Sequence, residues 1–205
     1  MKLKKIESIC KRSKTIVIIN DNGIQWIGEY GAFYLIEDMP ELASESIFAI
    51  FDVQAEQREK WLYNEQAKPK TLILSDHCVT DNEISVLSDY GLIKDGTTLI
   101  PVITSQGLKF INKAYLKPFD KEQITVYERL DSVGKLYFVI KKGLFIKALI
   151  LPSVFTDNGA DLKEWSRKFA ELMKTYVNDM GFVTDIITEE QTGFDKILKE
   201  SENKK

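Results

Sequence analysis

One histidine, His77, is all the imidazole in this 205-residue chain. Any histidine-dependent mechanism must therefore run through that residue. Cysteine is nearly as scarce. Cys10 and Cys78 make neither a disulfide framework nor the paired spacing of a metal site, and a reduced compartment is the expectation that follows. The longest apolar runs, Thr15–Ile19 and Ala148–Leu151, are strand-sized. They fall far short of the roughly 20 residues that a membrane helix needs. The basic opening Met1-Lys2-Leu3-Lys4-Lys5 leads into Ile6-Glu7-Ser8, with no apolar stretch and cleavage pattern behind it, so no secretory leader is expected. The phosphate-binding loop, the dinucleotide fingerprint, the nucleophile elbow and the zinc-protease helix motif are all missing. No catalytic centre, cofactor or metal site is expected.

What is present is a globular composition, 44% hydrophobic and 29% charged, which excludes a disordered or collagenous chain. The length fits one domain or two small ones and buries roughly 70% of the unfolded surface, so no covalent staple is required. Lys and Arg number 28 against 31 Asp and Glu, a net charge of −3. That charge is unevenly spread. Residues 1–14 carry six bases and one acid, whereas residues 37–59 carry seven acids and one base, Arg58.

Periodicity organises the chain. Leu3, Ile6, Ile9 and Cys10 form one face of a helix over Leu3–Ser13. Thr15–Ile19, Ile24–Glu29 and Ala32–Ile36 read as strands, with Asn20-Asp21-Asn22-Gly23 as a hairpin signal. Gln54–Ala67 is polar and helix-forming, interrupted by Trp61-Leu62-Tyr63. Thr71–Ser75 reads as a short strand and Asn82–Leu87 as a short helix. Asp95-Gly96 joins two strands, Tyr90–Lys94 and Thr97–Ile103. Leu108–Ile111 is a strand leading into one or two helical turns over Asn112–Pro118. Gln123–Leu130, Lys135–Lys141 and Leu144–Leu151 complete the strands. An amphipathic helix follows, with Leu162, Trp165, Phe169, Leu172, Tyr176 and Val177 expected to face a core. Short strands joined by tight turns, without long alternating helices, predict an α+β fold with mainly antiparallel sheets.

Two segments repeat a pattern. In each, a helix leads through strand, glycine turn, strand, glycine break, strand and proline. Gly23 to Pro40 spans 17 positions and Gly134 to Pro152 spans 18. The expected organisation is a helix–three-strand unit over 1–53, a connecting segment with a hairpin over 54–98, a second strand–helix–three-strand unit over 99–156, and a C-terminal helical region over 157–205. The segment Gly107-Leu108-Lys109-Phe110-Ile111-Asn112-Lys113-Ala114-Tyr115-Leu116-Lys117-Pro118 and the ending Ala148-Leu149-Ile150-Leu151-Pro152 resemble the repeated unit of DNA sliding clamps. That resemblance implies a pseudo-repeated fold whose helices face duplex DNA, and a chain of two units closes a ring only as a homo-oligomer. Residues 54–98 and 157–205 have no counterpart in it. The opening Leu3–Lys11, Gln25–Gly28, Ile47–Asp52 and Gly107–Ile111 also resemble an uncharacterised protein type of Gram-positive prophages. This implies a phage context and the cytoplasm of a bacterial host.

Both repeated helices are basic although the chain is acidic. Lys4, Lys5, Lys11 and Arg12 on the first, with Lys113 and Lys117 on the second, are the expected phosphate contacts. They would bind duplex DNA without reading sequence. The function expected is a non-enzymatic DNA-processing accessory. The alternative is an interaction module that binds or inhibits a host protein through the acidic 37–59 surface. A third, weaker possibility is an enzyme built on Asp76, His77, Cys78, Asp81 and Glu83. Sequential neighbours rarely converge on one point, so a polar turn is the simpler reading. Gly28-Glu29-Tyr30-Gly31 has the G-x-x-G spacing of an RNA backbone clamp, but it lies between strands rather than helices.

Overall fold

The computed structural model describes residues 3–37, 39–86, 91–94 and 96–153. The expected helix through Trp165 and Tyr176 lies outside them, in a unit that spans Phe155–Lys205.

The first elements form where local signals agree. Helix α1 (Leu3–Ser13) buries Ile6, Ile9 and Cys10 at 3.6-residue spacing. Strands β1 (Thr15–Asp21) and β2 (Ile24–Glu29) are joined at Asn22 and Gly23, whose φ values of 52° and 80° are those of a type I′ turn. β3 (Ala32–Ile36) completes an antiparallel meander. Between α1 and β1 the chain reverses through Lys14, which adopts φ 51°. A side chain in that left-handed region costs about 1–2 kcal/mol. Lys14→Gly should therefore raise stability in urea unfolding by about 0.5–1 kcal/mol.

Helix α2 (Ser44–Ile50) and a 3-10 helix, η1 (Ala55–Lys60), follow. Then come strands β4 (Leu62–Ala67), β5 (Asn82–Ile84), β6 (Leu92–Lys94), β7 (Thr97–Thr104) and β8 (Gly107–Asn112). A second 3-10 helix, η2 (Lys113–Phe119), precedes β9 (Thr125–Leu130), β10 (Leu136–Lys142) and β11 (Phe145–Ile150). The eight-stranded sheet has the order β4-β1-β2-β3-β11-β10-β9-β5, and β6-β7-β8 form a second sheet. The fold is α+β and mainly antiparallel, with β1–β4 as a parallel pair.

Three expectations for the middle of the chain are corrected. Gln54–Ala67, expected to be helix-forming apart from Trp61-Leu62-Tyr63, is helical only to Lys60, and Leu62–Ala67 extends as β4 alongside β1. Asn82–Ile84 pairs with β9 as a strand rather than opening a helix. Thr71–Ser75 joins no sheet. It belongs to a strap, residues 68–81, that leaves one sheet edge at β4 and reaches the other at β5.

The strap reveals the curvature of the sheet. Lys68 N–H donates to Asn20 O on β1, and three residues later Thr71 O accepts from Ser132 N–H beyond the end of β9. Three residues span at most about 11 Å. On a flat sheet the two attachment points would be roughly 30 Å apart, counting five strand spacings across from β1 to β9 and five residues along. The sheet must curl, and the strap runs along the inside of the curl. Both faces are consequently buried. Val17, Ile19, Trp26, Phe33, Tyr137, Val139, Ile146 and Leu149 line the concave side, where Leu72 and Leu74 of the strap pack. The other side carries Ile16, Ile18, Ile27, Tyr34, Phe138 and Ile140 under α1, α2 and η2.

Candidate nucleic-acid interface

α1 and η2 cover the same sheet face and touch each other. η2 is fixed on that face by specific bonds. Asn112 caps η2, its Oδ1 accepting from Ala114 N–H at 3.0 Å. Tyr115, Pro118 and Phe119 then point inward. Tyr34 on β3 donates its hydroxyl to Tyr115 O at 2.9 Å. Tyr115 in turn donates its hydroxyl to Glu29 at the end of β2. Burial first, and then the hydrogen-bonded Glu29, push the Tyr115 phenol well above its ordinary pKa; the Arg12 guanidinium pulls weakly the other way. Arg12 acts on Tyr34 in the same sense. The C-terminal turn of α1 thus lies within electrostatic reach of both phenols. Burial and Glu29 raise the Cys10 thiol to about 12, so it is a packed side chain rather than a nucleophile.

With the apolar stripes inward, the opposite stripes face water. Lys4, Lys11 and Arg12 on α1 and Lys113 and Lys117 on η2 are exposed, and Lys5 is half-buried. Lys11 pairs with Glu7 one turn back at 2.7 Å, an exposed contact of small energetic weight. The sequence placed each residue on its helix. What it did not show is that the two helices are adjacent, because η2 is held on the sheet beside α1 by Tyr34, Tyr115 and Glu29, from three separate elements.

The residues around His77 serve the strap. Asp76 Oδ1 accepts Ile146 N–H at 2.9 Å. Cys78 Sγ lies 3.2 Å from Thr80 Oγ1. His77 is exposed, and its carbonyl accepts from Ser75 Oγ at 2.7 Å. Asp81 is gripped bidentately by Arg129 at 2.5 and 2.8 Å and by Lys141 Nζ at 2.7 Å. Arg129 also donates to the carbonyls of Ile73 and Ser75. These groups diverge onto different partners. Among the described residues, no three of His, Cys, Asp and Glu are arranged to hold a metal. The Gly28-Glu29-Tyr30-Gly31 spacing lies on β2 and its turn into β3.

Arg129 and Lys141 were not singled out from sequence. Their signal was weak: Arg129 stands beside Glu128 in β9 and Lys141 beside Lys142 in β10, and only the alternation with Tyr127 and with Tyr137 and Val139 points them to the concave core. Among the described residues no helix is long and apolar enough to cross a membrane. Comparison with protein-family models, curated proteins and solved structures finds no match to this chain.

Proposed function

We propose that this protein is a non-enzymatic, phage-encoded DNA-processing accessory of sliding-clamp type, which holds duplex DNA by its phosphates without sequence preference and acts as a homo-oligomer in the bacterial cytoplasm. The observation that carries the reading is the side-by-side packing of α1 and η2 with basic residues on their outer stripes. Phosphate contacts from such a surface fix position without reading bases. The strand order supports it as well. The meander β1-β2-β3 meets β11-β10-β9 at an antiparallel β3–β11 junction, and each meander follows one of the two helices. Two units of one plan, joined in this way, are what the clamp resemblance implies.

A labelled short duplex, titrated with the full chain and followed by fluorescence anisotropy, tests the reading. Binding should be strong at about 50 mM salt and fall steeply with added salt, whatever the sequence. Replacing Lys4, Arg12 or Lys117 singly by alanine should lower the slope of log affinity against log salt by about one. Absence of binding at about 50 mM salt would overturn the proposal. So would slopes that these replacements leave unchanged.

A further inference from the structure

We propose that the outer edge of β4 takes an extended basic peptide segment of a partner protein as an added strand. This does not rest on the DNA-binding reading, since β4 and the α1–η2 surface are separate elements.

The edge is open. Leu62 N–H donates to Lys14 O and Lys68 N–H donates to Asn20 O, both toward the β1 side. Successive residues of a strand alternate in direction, so Asn64 and Gln66 also face β1. Tyr63, Glu65 and Ala67 therefore present their backbone N–H and C=O groups outward. β4 is the outermost strand of the sheet, and Leu62, Glu65, Gln66 and Ala67 are exposed. At the opposite edge, β5 has only three residues.

The edge is also unguarded. Natural edges are blunted by proline, lysine, a bulge or a projecting charge. β4 contains no proline and no lysine, and its register with β1 is unbroken over six residues. Its one charge, Glu65, is held on its own sheet by Asn20 Nδ2 at 2.9 Å and Tyr63 Oη at 2.8 Å. Main-chain groups aligned along such an edge give affinity to any extended chain, and the neighbouring side chains select which one.

Those neighbours are acidic. Phe48 of α2 lies 5.6 Å from the Tyr63 ring, and the Arg58 guanidinium sits 5.0 Å over Phe48. Arg58 Nη1 is taken by Glu45 at 2.5 Å. Residues 41–60 hold five acids (Glu41, Glu45, Asp52, Glu56 and Glu59), all exposed, against two bases, Arg58 and Lys60. This charge selects a cationic strand.

The test uses the full chain and a labelled peptide that alternates lysine with valine. Controls are the same peptide N-methylated at alternate backbone nitrogens and a glutamate–valine peptide of equal length. The variant is Ala67→Pro. It removes one outward N–H and leaves the β1 ladder intact, which an unchanged melting temperature would verify. The lysine peptide should bind the native chain. N-methylation and Ala67→Pro should each weaken it by about tenfold or more, and the glutamate peptide should not bind. Duplex DNA binding should be the same in Ala67→Pro as in the native chain. Equal binding of the N-methylated peptide or of Ala67→Pro would show charge alone at work and overturn the proposal. No binding of the lysine peptide would overturn it too. A self-associated chain that Ala67→Pro dissociates would give the edge to a second copy instead, and would equally overturn the peptide as its occupant.

Discussion

Replacing Arg129 with alanine is expected to remove about 3–5 kcal/mol of folding stability. Its side chain is fully buried and that of Asp81 is 10% exposed, so truncating one leaves the other charge buried beside Lys141 alone. The loss extends beyond the ion pair. The strap crosses the concave face without a strand partner, and Arg129 satisfies its Ile73 and Ser75 carbonyls. Tyr137 Oη, which donates to Ile73 O at 2.9 Å, cannot replace it at Ser75. Urea unfolding of Arg129→Ala against the native chain measures the effect. A loss below about 1 kcal/mol would mean that water or other donors take over. The triple replacement Asp81→Leu, Arg129→Leu, Lys141→Met should recover much of the Asp81-related loss, because apolar groups of similar volume often replace a buried ion triad at little cost. It should not recover the share that belongs to the two carbonyls.

The same network fixes the sign of the acid response. Burial favours the neutral Asp81 carboxyl, but hydrogen bonds from Arg129 and Lys141 outweigh it and hold the group below its ordinary pKa. A carboxyl lowered in the folded state contributes stability above its unfolded value, about 3.9. That contribution disappears as the pH falls through the folded value. Stability should therefore be flat in this contribution near neutrality and drop below about pH 4. Asp81→Asn should be less stable than the native chain at neutral pH and should have a shallower acid transition.

The parts of this fold that were legible in the sequence are those where local and tertiary demands coincide. α1 and β1–β3 follow from a 3.6-residue apolar stripe, from β-branched runs and from an Asn-Gly turn whose two positive φ angles only such residues adopt easily. The segment from Gln54 to Val86 was misread because its structure is imposed by the sheet rather than by itself. β4 is polar, as an exposed edge can be, so its composition resembles a helix. Its partner β1 is forty residues away in sequence or more. Thr71–Ser75 has the composition of a strand, yet it lies across a curled sheet, where Arg129, Tyr137 and Ser132 take the place of a ladder. Charge patterning located the basic positions of the candidate interface. Their assembly into one surface depends on Tyr34 and Tyr115, 81 residues apart, and no periodicity reports such a pairing.

Gly28→Ala is expected to destabilise the fold by about 3 kcal/mol, at the upper end for one methyl group in a packed region. Gly28 lies on β2 opposite Phe33 and does not need a positive φ, so its requirement is for space alone. A Cβ there would fall inside the Ala32 carbonyl oxygen and would stand 2.9 Å from the carbonyl carbon and 3.0 Å from the Phe33 Cα. All three are backbone atoms, and none can rotate away. Ala32 pairs with Glu29 on one side and Ile150 on the other, so its carbonyl is fixed between β2 and β11. The carbonyl of Gly28 itself accepts from Cys10 Sγ at 3.4 Å, which ties α1 to the same point. Relief of the clash must shift β3 against β11, the junction at which the two meanders meet. Two measurements check this. Urea unfolding of Gly28→Ala should show the full loss, and amide exchange should show faster opening at Phe33 and Leu149, which face each other across the junction. A loss under about 1 kcal/mol would mean that the close approach relaxes locally without moving β3.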